Sequence, residues 1–100
     1  MHYLLCYDLA PDYLDRRAEF RDQHLHLAWQ AQQNGELVLA GALSDPADMA
    51  VLMFQGDSPD AAERFAKADP YVSNGLVVSY KVRQWNTVVG DAACSPVRPA

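Results

Sequence analysis

HYLLCYD, residues 2–8, carries apolar side chains at odd and even positions alike. A strand with one face in water alternates polar and apolar, so a run apolar on both faces must be covered on both. MAVLMF, residues 49–54, reads the same way. These two runs predict central strands. Residues 76–85, LVVSYKVRQW, alternate instead, with Leu76, Val78, Tyr80 and Val82 on one face and Ser79, Lys81 and Arg83 on the other. That pattern belongs nearer a sheet edge. Residues 36–43, ELVLAGAL, form the remaining strand, and Gly41 inside it marks a bulge or a close approach to the backbone.

Helices are expected between these strands. One runs from about Asp12 to Gln33 and stops at Asn34-Gly35. A shorter one follows residue 58, with Ser58 as N-cap, Pro59 in the first helical position and Asp60 at the positive end. Its apolar stripe is Ala61, Ala62, Phe65 and Ala66. The order strand, helix, strand, strand, helix, strand is the split pattern of the ferredoxin-like α+β fold. It predicts a four-stranded antiparallel sheet, first and third strands central, with two helices on one face. The other face is then apolar and uncovered, and a second copy packed sheet to sheet is the simplest cover, which predicts a homodimer.

Length and composition agree with one unit. One hundred residues, half of them apolar, suffice for one core. The expected domain is residues 1–90, followed by a loose tail over 91–100 that mixes prolines with small residues, after a short extended piece at Thr87 to Val89. A net charge of −5 argues against nucleic acid and acidic membrane surfaces as partners. The first residues lack a basic stretch, and Asp8 breaks their apolar run, so a cytoplasmic location is expected. Cys6 and Cys94, 88 positions apart, suggest neither a disulfide framework nor a metal pair.

The histidines of the long helix separate on a helical wheel. His24 falls in the apolar arc that Tyr13, Leu25, Ala28 and Trp29 share, whereas His26 falls opposite, among Glu19, Asp22 and Gln30. Arg17 and Arg21 stand in a column with His24 at spacings of four and three residues. Inward charge requires acidic partners or a wet cleft. Asp69, before Pro70 at the end of the second helix, is the candidate partner. Its carboxylate would orient one ring nitrogen and leave the other for a ligand, as a general acid or base requires. The structural reading of the same residues is a polar tie between two helices. Asp45, Asp48, Asp57 and Asp60 lack calcium-loop spacing, and no nucleotide-binding glycine motif occurs, so neither a metal nor another cofactor is expected. Ser44, near Gly41 at a strand end, is a substrate hydrogen-bonding candidate.

Three segments together, RDQHL at 21–25, GELVLAG at 35–41 and ADPYVSNGL at 68–76, resemble the YciI-like proteins over most of residues 1–85. The resemblance implies a dimeric α+β barrel with a His24–Asp69 dyad at a pocket that Tyr71 helps to line. It also implies cofactor-free chemistry of the kind done by a dehydrochlorinase of a chlorinated hydroxyhydroquinone, or by muconolactone isomerases and cofactor-free monooxygenases with similar barrels. Ala42 stands where many relatives have proline after the glycine. The expected function is a cofactor-free lyase or isomerase acting on a small cyclic or aromatic molecule, with Arg17, Arg21, Ser44 and Tyr71 binding it. The alternatives are a binding or accessory module without turnover, and a structural dimer.

Overall fold

Strand β1 (His2–Leu9) lies inside the sheet in a computed structural model that describes residues 1–100. It pairs antiparallel with β3 (Met49–Gln55) and with β4 (Val77–Trp85). Strand β2 (Leu37–Ala42) adds to β3, giving the order β2-β3-β1-β4. The two runs apolar on both faces are the two central strands. Tyr3, Leu5, Tyr7 and Leu9 of β1, with Ala50, Leu52 and Phe54 of β3, point to one face and are buried. Full burial of such a side chain contributes roughly 1.5–3 kcal/mol, so this face carries most of the stability. On the other face Leu4, Cys6, Met49, Val51 and Met53 are half-buried, with no helix over them.

Helices α1 (Tyr13–Gln33) and α2 (Asp60–Ala68) cover the buried face. α1 ends in a Schellman motif: Glu36 N–H reaches the Ala31 carbonyl, Gly35 N–H reaches that of Gln32, and Gly35 takes φ +78°. α2 begins one residue later than the capping pattern predicts. Ser58 Oγ still accepts the Asp60 N–H at 3.3 Å, but Pro59 occupies the cap position. On the inner side of α2, Ala62, Phe65 and Ala66 are buried, and Phe65 packs on Phe54 at a ring separation of 5.6 Å.

Two expectations need correction. Gly41 is neither a bulge nor a close approach: a side chain there would meet nothing within 4 Å, and the irregularity in β2 lies between Leu37 and Leu39, around Val38. In β4 the alternation breaks at its start. Leu9 pairs with Val77 and Asp8 with Ser79, so Val78 is the extra residue of a bulge and stands 63% exposed, while Val77 is buried. After β4, residues 86–100 form no helix or strand, but the chain folds back on itself. Ser95 and Val97 N–H groups reach the carbonyls of Thr87 and Val88, and Thr87 Oγ1 accepts the Cys94 N–H and lies 2.7 Å from His2 Nδ1. No helix is long and apolar enough to cross a membrane.

Candidate active site

Asp69 is placed by the break between two helices. Pro70 prevents α2 from continuing, Asp69 takes an extended conformation (φ −72°, ψ 121°), and Pro70 begins a single turn, α3 (Pro70–Ser73). The Asp69 side chain caps that turn by accepting the Tyr71 N–H at 3.0 Å. It is wholly buried and accepts from two further donors. Tyr7 donates its hydroxyl to Oδ2 at 2.7 Å, and His24 Nδ1–H donates to Oδ1 and Oδ2 at 2.9 and 3.0 Å. A buried carboxylate is costly unless its lone pairs are met, and here they are met on three sides.

The same contacts fix the His24 ring. Tyr71 stacks on its face at a centroid separation of 3.9 Å with 7° between the planes, and Phe65 meets it edge-on at 6.1 Å. An ionised carboxylate only accepts, so Nδ1 carries the proton and Nε2 is left with its lone pair. Nε2 has no protein partner and is not buried. His24 lines a cavity of about 520 Å³ between α1 and the sheet. The cavity exists because the strand side chains beneath it, Ala40, Ala42 and Ala50, are small.

Arg17, Arg21 and Tyr71 line the same cavity, and neither arginine pairs with a carboxylate. The Arg17 guanidinium lies 5.9 Å above the Tyr13 ring. Burial first, and then Tyr13, push the Tyr71 phenol up to about 12, against the pull of Arg21 and Arg17. Tyr71 therefore keeps its proton at neutral pH as a potential donor. Burial, and after it the Asp69 carboxylate, push the Tyr7 phenol up as well, so Tyr7 stays a donor to Asp69.

The structure thus brings five of the six expected site residues together. Ser44 is exposed in the loop after β2 and does not line the cavity. His26 is exposed on the far side of α1, and no cluster of three or more His, Cys, Asp or Glu side chains has metal-binding geometry. Two further groups belong to the site. Tyr7 belongs to a run whose pattern is that of an apolar strand, yet a buried tyrosine hydroxyl demands a partner, and that demand is the available signal. Trp29 and Leu25 belong to the apolar arc of the helix but stand 60% and 38% exposed at the cavity rim. A wheel gives their direction correctly and says nothing of the gap they face.

The model of the YCII-related domain matches residues 1–86. A 5-chloro-2-hydroxyhydroquinone dehydrochlorinase from Burkholderia phenoliruptrix, solved in complex with 2,5-dihydroxybenzoquinone, superposes with a TM-score of 0.72 at 19% identity, over 87% of this chain and 95% of that one. A NIPSNAP family protein from Agrobacterium tumefaciens gives 0.57 at 16% identity, covering 93% and 95% of the two chains. Another protein from the same organism gives 0.57 at 20% identity over 94% and 98%. No curated protein sequence matches significantly. The structural matches, at these identities, speak to the fold, and the domain match over residues 1–86 speaks to descent: the chain belongs to the YCII-related domain family.

Proposed function

We propose that this protein is a cofactor-free enzyme of lyase or isomerase type, in which His24 moves a proton on a small cyclic or aromatic molecule. The observation that carries this reading is the pairing of a fully buried Asp69 with Nδ1 of His24, while Nε2 is left without a protein partner on a ring that lines the cavity. Such a nitrogen takes a proton from an acidic C–H or O–H of the bound molecule. The imidazolium formed is held by the Asp69 carboxylate, and the oxyanion formed on the ligand is held by Arg17, Arg21 and the Tyr71 hydroxyl. The proton then returns at another atom, as in an isomerase, or a leaving group such as halide departs with the electron pair, as in a lyase. The dehydrochlorinase with this fold performs the second kind of reaction, which supports the reading by analogy.

The functional unit in this reading is a homodimer of the domain over residues 1–90, packed through the open sheet faces in a dimeric α+β barrel. The uncovered Leu4, Cys6, Val51 and Met53 support it. A cytoplasmic setting fits the two free cysteines. The test is ring-proton exchange into deuterated water and halide release over a panel of cyclic hydroxy acids and halogenated hydroxyquinols, with His24→Gln beside the wild type. Turnover in the wild type that His24→Gln abolishes, with binding kept, is the expected result. Saturable binding without turnover in either protein would make the site a binding module instead. Absence of binding, with a neutral or stabilising His24→Leu, would make the dyad a structural tie.

A further inference from the structure

The cavity is longer than the chemistry at His24 requires. Along α1 its lining runs from Tyr13 to Gln32, an advance of 19 residues, or about 28 Å at 1.5 Å per residue. Along the sheet it follows all of β2 from Leu37 to Ala42, about 17 Å at 3.4 Å per residue. Its volume of about 520 Å³ lies well inside the range of sites that enclose drug-sized molecules. The two ends differ in chemistry. Arg17 and Arg21, both without carboxylate partners, stand with His24 at one end, whereas the other end is walled by Leu25, Ala28, Trp29 and Leu37, with Gln32 as the last polar group. Trp29 and Leu25 stand 60% and 38% exposed on the rim, open apolar surface that favours an apolar occupant.

We infer that the ligand of this site is a ring acid bearing an extended apolar substituent, with its anionic group at Arg17 and Arg21 and its substituent laid along the α1–β2 groove past Trp29. This deepens the acid–base reading and rests on it for the placement of the ring beside His24. The arginines supply the charge complementarity that selects the anion, and the groove supplies length and apolar surface that a bare ring leaves empty. An unsubstituted dihydroxy ring would fill only the His24 end.

The experiment is equilibrium binding by calorimetry of benzoate and 4-alkylbenzoates of increasing chain length, all below their micelle-forming concentrations. Affinity is expected to rise about fourfold per buried methylene, from about 0.8 kcal/mol each, and to level off once the chain passes Gln32. In Trp29→Ala the longer acids lose part of that gain while benzoate is unchanged. In Arg21→Gln the whole series weakens by one common factor. Both side chains are exposed, so neither change threatens the fold. Affinity that is independent of chain length, a gain that Trp29→Ala leaves intact, equal binding of the uncharged 4-alkylbenzyl alcohols, or no binding of any acid at the limit of solubility would each overturn the inference. Because the readout is binding and not turnover, its failure is separable from that of the acid–base reading, which falls on the His24→Gln comparison instead.

Discussion

Replacing Tyr7 by phenylalanine removes one oxygen from the centre of the protein and leaves the ring in place. That hydroxyl donates to Asp69 Oδ2 at 2.7 Å with both residues buried. A hydrogen bond to a charged group contributes roughly 1.5–3 kcal/mol. Asp69 keeps the Tyr71 N–H and His24 Nδ1–H as donors, so the loss stays below the ~3–5 kcal/mol of a broken buried ion pair. A destabilisation of about 2 kcal/mol follows, which for a domain of this size lowers Tm by roughly 10 °C. Urea and thermal unfolding at fixed protein concentration read it directly. The pH dependence adds a sign. Because the Tyr7 phenol is pushed up in the folded state, its contribution is complete below the unfolded tyrosine value of about 10 and is lost as pH rises above it. The gap between wild type and Tyr7→Phe should therefore narrow above about pH 10. A loss under about 0.5 kcal/mol at neutral pH would refute the claim that Tyr7 helps to hold the buried carboxylate.

Tyr71, pushed up to about 12, is expected to deprotonate late. Tyr71→Phe should remove phenolate absorbance from the part of the alkaline titration near pH 12, and loss confined to lower pH would contradict its burial. Val51 lies centrally on the open sheet face, in register with Cys6 and Gly41. Val51→Glu should turn a dimer into a folded monomer by sedimentation, with the far-ultraviolet spectrum unchanged; a wild type already monomeric would remove the proposed interface.

The architecture was legible in residues 2–8 and 49–54, because strand patterning on two faces is a local property that survives folding. The pairing of His24 with Asp69 was legible for a related reason: the wheel pointed His24 inward and Pro70 fixed where the second helix had to stop. What stayed hidden depends on contacts between distant segments. The bulge that exposes Val78 arises from the register of β4 against β1, which no pattern within β4 records. Tyr7 lies 62 positions from Asp69, so their hydrogen bond is visible only once β1 and the end of α2 are side by side. The third helix is a single turn and too short to leave a periodic signal. Ser44 is near Gly41 in sequence, but the loop carries it out of the cavity lining.

The proposed chemistry depends on Asp69 holding His24 with Nδ1 protonated and Nε2 free. A long-range proton–nitrogen correlation spectrum of the imidazole rings tests it in the unmodified protein, with exposed His26 as the internal reference. Neutral His24 is expected to show a protonated Nδ1 and a bare Nε2. A proton on Nε2 in the neutral ring would mean that the carboxylate does not set the tautomer, and the proposed base would be absent.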